Sequence, residues 1–122
     1  MQLILSNAGH CLPMIKRDGK AEFIEMPDPK FPLGLRPRVD YTDLKIKLQS
    51  GDTLLFYSDG FPEAVNDNGQ RFGFDRALQI FEEMDSGQMT SKEICNHIRD
   101  IIQDFSIERL ADDTTILCLK VK

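Results

Sequence analysis

The chain has 122 residues, 41% of them hydrophobic, which is enough for one small folded domain. It contains no apolar run long enough to cross a bilayer and no signal-peptide pattern, so we expect a soluble, cytoplasmic protein. The net charge of −5 and the dispersed basic residues argue against a nucleic-acid or anionic-membrane partner and suit a cation site better.

The first third of the chain predicts three short strands and a loop. Residues 3–6 form an apolar strand with almost nothing before it to pair with, so we expect a domain that has been cut here. Residues 12–16 and 21–25 flank Asp18-Gly19, which predicts a hairpin. Four prolines within residues 26–40 exclude regular structure and predict a surface loop.

The middle of the chain places a carboxylate at the end of a buried strand. Alternation over residues 44–49 predicts a strand with one solvent-facing side, and Gly51-Asp52 then turns the chain into residues 53–57, which are apolar or β-branched on both faces. We expect these two strands to pair antiparallel. Asp59 comes two residues after this strand and therefore lies where the chain leaves the core.

The residues after Asp59 suit a ligand site. Gly60 allows an unusual backbone angle and leaves room for an ion beside Asp59, Pro62 blocks further strand pairing, and Glu63 adds a second carboxylate. Taken alone, Asp59-Gly60 is also an ordinary turn dipeptide.

The second half of the chain predicts two helices and a last strand. Apolar residues at helical spacing run from Phe74 to Met84, and Thr90 with Glu93 forms a capping box that starts a second helix. The buried stripe expected for the second helix is Ile94, Ile98, Ile101 and Phe105. Residues 114–121 predict a strand buried on both faces. The predicted fold class is α+β, with antiparallel sheets and two helices packed on one side.

Asp112 and Asp113 stand at the entrance of the last strand, as Asp59 stands at the exit of the central one. If those strands are antiparallel neighbours, the acids meet at one end of the sheet. Carboxylates brought together must take up protons or share a cation, and magnesium or manganese fits a site of carboxylates and water. A solvated loop before a strand is the alternative interpretation.

The cysteines offer a different idea. Cys11, Cys95 and Cys118 are odd in number and widely spaced, which indicates reduced core thiols rather than disulfides or a zinc site. His10-Cys11 with Arg17 matches the spacing of cysteine-dependent phosphatases, but the segment between them reads as a strand and cannot form a phosphate-binding nest.

Five local patterns in one order carry a family resemblance: Asn7-Ala8-Gly9-His10, Phe31-Pro32-Leu33-Gly34, Tyr57-Ser58-Asp59-Gly60, Arg71-Phe72-Gly73 and Asp112-Asp113-Thr114-Thr115. With them the chain resembles the SpoIIE-like and RsbU-like branch of the metal-dependent (PPM, type 2C) serine/threonine phosphatases over nearly its whole length.

This resemblance implies an antiparallel β-sandwich with two magnesium or manganese ions at one end. It implies Asp59 and Asp112 as metal ligands and a supporting role beside them for Asp113, while Glu63 and His10 stand where related enzymes place acids near a third metal. A metal-activated water would hydrolyse phosphoserine or phosphothreonine without a protein nucleophile, and the implied substrate is a STAS-type anti-anti-sigma regulator.

The family domain is longer and begins with strands that carry further acids. The resemblance therefore implies that residues 1–122 are the C-terminal part of a single phosphatase domain whose N-terminal part is absent, with little activity alone. The alternative is a non-catalytic interaction or regulatory module, such as a homodimer in which exposed strand edges pair between chains.

Overall fold

The computed structural model describes residues 1–106 and 113–122. Six strands and two helices occur in this part of the chain. Their bounds are β1 Gln2–Leu5, β2 Met14–Arg17, β3 Lys20–Phe23, β4 Leu44–Lys47, β5 Thr53–Tyr57, α1 Phe74–Glu83, α2 Ser91–Phe105 and β6 Ile116–Lys120. No helix in these two ranges is both long and apolar enough to cross a membrane.

The strands of the described ranges form two antiparallel sheets. One contains β1 and β4, and the other has the strand order β3-β2-β5-β6. The predicted hairpin is confirmed: Arg17 on β2 lies opposite Lys20 on β3, and Asp18 between them adopts a positive φ of 51°, which a tight two-residue turn requires.

β5 is the buried central strand that its sequence predicts. It pairs antiparallel with β2 on one side and with β6 on the other. Leu55 and Tyr57 point into a core shared with the helices, whereas Leu54 points into the space between the sheets. Both faces of β5 are therefore apolar because a separate part of the core lies on each side of it.

The predicted pairing of β4 with β5 is wrong. β4 pairs with β1, with Leu44 opposite Leu5, because both edges of β5 are already occupied by β2 and β6. The turn closed by the Asp52 N–H bond to the Gln49 carbonyl instead carries the chain from one sheet to the other. The alternating apolar residues of β4 then pack face to face against the cluster around Leu54.

The two helices cover the other face of the four-stranded sheet, as expected for this α+β fold. Thr90 caps α2, since its side chain accepts a hydrogen bond of 3.1 Å from the Glu93 N–H. The fully buried residues of α2 are Ile94, Ile98 and Ile102. The buried stripe thus passes through Ile102, while Ile101 and Phe105, which were predicted to carry it, are only half-buried.

The prediction that the last strand is buried on both faces is also wrong. β6 is an edge strand of its sheet. Cys118 is buried under the helices, but Leu117 and Leu119 on the opposite face are 55% and 40% exposed. In the described structure the short β1–β4 sheet does not cover this inner face of β6. The apolar residues of β6 are therefore buried on one face only.

Candidate functional site

Asp59 lies on a rigid turn at the end of β5. The Phe61 N–H donates to the Ser58 carbonyl at 3.2 Å, and the Glu63 N–H donates to the Asp59 carbonyl at 2.9 Å. Phe61 is fully buried and packs edge to face on Tyr57 with ring centroids 5.7 Å apart. This apolar anchor holds the turn against the core while the Asp59 and Glu63 side chains remain exposed.

The segment that leads into β6 runs beside this turn. The Ser58 N–H donates to the Thr115 carbonyl at 2.9 Å, and the Thr115 N–H donates to Ser58 Oγ at 2.8 Å. The Ser58 hydroxyl also donates to the Asp113 carbonyl at 3.3 Å. The structure thus places Asp113, which is exposed, at the same end of the sheet as Asp59. Asp112 lies outside the described residues, and its role stays a prediction.

Gly60 is needed for the contact between these two segments. A Cβ atom at this position would lie 2.5 Å from Thr114 Oγ1 and 2.8 Å from the Asp113 carbonyl oxygen. The described residues with a positive φ do not include Gly60, so the expected unusual backbone angle is wrong. The Asp113 carbonyl and the Thr114 hydroxyl occupy the space beside Gly60, so this space is not open to an ion.

A third segment reaches Asp59 from the start of β2. The Asn7 side chain closes a bend by accepting from the His10 N–H at 2.8 Å and donating to the His10 carbonyl at 3.1 Å. The next residue, Cys11, donates a hydrogen bond from Sγ to Asp59 Oδ1 at 2.6 Å. The Tyr57 hydroxyl donates to the Leu12 carbonyl at 2.6 Å and fixes the same segment.

Sequence reasoning did not connect Cys11 with Asp59. It interpreted Cys11 as a small core residue or a nucleophile, and Asp59 as a metal ligand. The signal lay in the strand pairing: β2 runs antiparallel to β5 with Met14 opposite Leu55, so the residues before β2 lie beside those after β5. Because the predicted neighbour of β5 was β4 and not β2, the contact between Cys11 and Asp59 was not predicted.

The contacts of Cys11 argue against a cysteine phosphatase. Burial, together with the hydrogen bond to Asp59, raises the pKa of the Cys11 thiol to about 12, so it is protonated at neutral pH. Arg17, the arginine of that motif, lies at the far end of β2 and forms an ion pair with Asp52. The two residues therefore cannot hold one phosphate group between them.

The other predicted site residues in the described ranges do not complete a set of metal ligands with Asp59. His10 is exposed, and its Nδ1 lies 3.1 Å from the Cys11 carbonyl. Within residues 1–106 and 113–122, no three His, Cys, Asp or Glu side chains are grouped so that they could hold a metal ion. The described part of the site is thus one exposed carboxylate, Asp59, with further acids nearby.

A groove of about 470 Å³ is lined in part by Cys11, the residue whose thiol donates to Asp59. Gly9, His10 and Cys11 line one side, and Phe23 and Phe74 are among the residues that line the rest. The proline-rich loop borders the same region, because the Pro32 ring would lie 2.8 Å from a Cβ atom at Gly9. The groove thus combines the aromatic side chains of Phe23 and Phe74 with the charged residues Glu25 and Lys30.

The comparisons with known proteins agree with this architecture. In structure, the chain is similar to the SiaA-PP2C domain of Pseudomonas aeruginosa, with a TM-score of 0.79 and 19% identity over 99% of this chain and 46% of that chain. It is similar to the manganese-presoaked phosphatase domain of SpoIIE from Bacillus subtilis, with a TM-score of 0.72 and 17% identity over 100% of this chain and 56% of that chain.

A third similar structure contains the RsbU and RsbW domains of a Mycobacterium tuberculosis protein, with a TM-score of 0.70 and 23% identity over 96% of this chain and 31% of that chain. The chain therefore spans between 31% and 56% of the length of these three structures. No protein of curated function matches it in sequence. The family model of stage II sporulation protein E (SpoIIE) matches residues 1–122. The resemblance predicted from the motifs is thus confirmed, and the chain belongs to the SpoIIE family, with the α+β fold of PP2C-type phosphatase domains.

Proposed function

We propose that this chain carries part of the metal site of a protein phosphatase that hydrolyses phosphoserine or phosphothreonine. The observation that carries the proposal is the position of Asp59: it leaves the central strand β5 next to the backbone of Asp113, in a chain of the SpoIIE family. Asp59 and Asp112 would hold magnesium or manganese, with Asp113, Glu63 and His10 around them.

Among the described residues, Asp59 is the one whose chemistry suits such an ion. Asp59 is an exposed carboxylate on a rigid turn, and carboxylate oxygens with water are the ligands that hard divalent cations prefer. When bound, two such ions supply an activated water and stabilise the oxygens of an in-line phosphoryl transfer. The structure of the Bacillus subtilis relative that was presoaked with manganese supports the choice of metal.

The residues of this chain would hold the acidic segments in place and orient the substrate. The buried Phe61 and the Ser58–Thr115 hydrogen bonds fix the two acidic segments side by side. The groove between Cys11 and Phe74 would receive the substrate polypeptide. We propose a phosphoserine on a STAS-type regulator of sigma-factor activity, in the cytoplasm, which the similarity to RsbU supports.

Further strands would complete the catalytic domain. The inner face of β6 is uncovered, with Leu117 55% exposed, and the chain spans 46% of the SiaA-PP2C domain. We propose that the 122 residues form the C-terminal part of this phosphatase domain and hydrolyse phosphoserine poorly alone. If the 122-residue chain matched a longer chain of the same protein in turnover, this part of the proposal would be wrong.

Manganese titration by calorimetry tests the proposal directly. The chain should bind Mn²⁺, and Asp59→Asn should weaken binding at least ten-fold because a ligand is lost. Asp67→Asn, on an exposed turn, is the matched control for the change of charge and should leave affinity unchanged. A chain that binds no Mn²⁺, with Asp59→Asn indistinguishable from it, would overturn the proposal.

The alternative is a non-catalytic interaction module. The uncovered apolar face of β6 favours it, since such a face is typical of a binding surface. A module of this kind would bind no manganese specifically, and sedimentation would show a homodimer or a complex instead of a monomer.

A further inference from the structure

The Asp59 carboxylate has one side-chain partner in the described residues, the thiol of Cys11. The distance from Sγ to Oδ1 is 2.6 Å. No other hydrogen bond to either carboxylate oxygen of Asp59 occurs among residues 1–106 and 113–122. An exposed aspartate without further partners rotates freely about its side-chain bonds, so this contact decides which way the carboxylate faces.

Cys11 itself is held firmly. The Asn7 bend fixes the residue before it, and the hydrogen bond from Tyr57 to the Leu12 carbonyl fixes the residue after it. Cys11 is half-buried and packs against the helix-side core. The thiol therefore connects an exposed acid to a residue that packs against the core.

We propose that Cys11 is a positioning residue for the Asp59 carboxylate. Its thiol donates to Oδ1, so Oδ2 would remain free to hold the divalent cation, and hydrogen bonds to metal ligands orient them in this way in other metal sites. This inference rests on the proposed function, because it assigns Asp59 to a metal. It differs from the two roles that the sequence suggests for Cys11, core packing and nucleophilic attack.

The test compares Mn²⁺ affinity by calorimetry in three variants of the 122-residue chain. Cys11→Ala should weaken Mn²⁺ binding about ten-fold, the usual effect of losing a partner of a metal ligand. Cys11→Ser keeps a donor at the same position and should restore most of the affinity. Cys95→Ala is the matched control: Cys95 is also half-buried, but its Sγ lies 3.9 Å from the Ile116 carbonyl, away from Asp59.

The Mn²⁺ affinities of these variants distinguish a positioning role for Cys11 from a packing role. Normal affinity in Cys11→Ala, with only a lower melting temperature, would show that Cys11 serves packing and would overturn the inference. A loss in Cys11→Ala that Cys11→Ser does not relieve would also overturn it, because the donor would then be irrelevant. Absence of Mn²⁺ binding in the unmodified chain would overturn the proposed function, and with it this inference, before any variant is compared.

Discussion

The guanidinium of Arg17 on β2 holds the carboxylate of Asp52 at the start of β5 by two hydrogen bonds, 2.8 Å from Nε to Oδ1 and 2.5 Å from Nη2 to Oδ2. The same Asp52 oxygen, Oδ2, accepts from the Gln49 N–H at 2.8 Å, and Arg17 Nη2 also donates to the Lys47 carbonyl at 2.9 Å. This pair therefore joins the four-stranded sheet to the end of β4, at the end of β5 opposite Asp59.

Asp52→Asn should destabilise the fold by about 2 to 3 kcal/mol, somewhat less than a fully buried pair because Arg17 is partly exposed. The amide would present an N–H group to the Arg17 donors, and Asp52 is only 1% exposed, so water cannot replace the lost bond. Urea denaturation measures the change. Asp18→Asn, at an exposed turn position, removes the same charge and should cost less than 0.5 kcal/mol by the usual range of surface substitutions.

The contribution of this pair should depend on pH. Hydrogen bonding to Arg17 holds the pKa of Asp52 below its ordinary value, against the opposing effect of burial. A carboxyl with a lowered folded-state pKa stabilises the fold above its unfolded pKa of about 3.9 and loses that contribution as the pH falls further. The stability difference between the unmodified chain and Asp52→Asn should thus be constant from about pH 5 to pH 8 and shrink below about pH 4.

A difference that instead grew as the pH fell below about 4 would contradict this assignment. It would mean that the carboxyl is more stable in its protonated form within the folded chain.

The sequence predicts those features of the fold that depend on local residue patterns. Periodicity identifies the buried face of an element, so β5, α1 and the two-residue turn at Asp18 were correctly predicted. It does not identify the neighbouring strand. The alternation over residues 44–49 is the same whether β4 pairs with β5 or packs across it, and only the occupation of both β5 edges decides between them.

The candidate site shows the same limit. Asp59 could be selected because its carboxylate follows the end of a buried strand while two further acids, Asp112 and Asp113, precede the last strand. Its contact with Cys11 could not, since 48 residues separate them and only the register of β2 on β5 brings them together. Gly60 has a structural role that its sequence context did not indicate: a Cβ atom there would meet the Thr114 hydroxyl and the Asp113 carbonyl.

Gly60→Ala should therefore damage both the fold and the candidate site. The added Cβ would lie 2.8 Å from the Asp113 carbonyl oxygen, so the segment leading into β6 must move away from Asp59. We expect a loss of about 1 to 3 kcal/mol from overpacking, measured by urea denaturation, and weaker Mn²⁺ binding measured by calorimetry. Gly87→Ala is the control, since its nearest neighbour, Asp85 Oδ1, is at an ordinary 3.6 Å.

Unchanged stability in Gly60→Ala would show that the two segments are less closely packed than their hydrogen bonds indicate. Reduced stability with normal Mn²⁺ affinity would show that Gly60 matters for the fold but not for metal binding. The position of the Asp113 backbone would then not affect the metal ligands.

Leu117→Ala measures how completely the inner face of β6 is exposed, with Leu55, on the helix-side face of the sheet, as the buried reference. Leu55 is fully buried on β5, whereas Leu117 on the neighbouring strand is 55% exposed. Leu55→Ala should cost about 3 to 4 kcal/mol, as for other buried leucines, and Leu117→Ala less than about 1 kcal/mol, because little apolar area is lost from the core. Urea denaturation at two protein concentrations measures both. Equal losses would mean that Leu117 is covered in solution, and a loss at Leu117 that grows with protein concentration would identify a second copy of the chain as the cover.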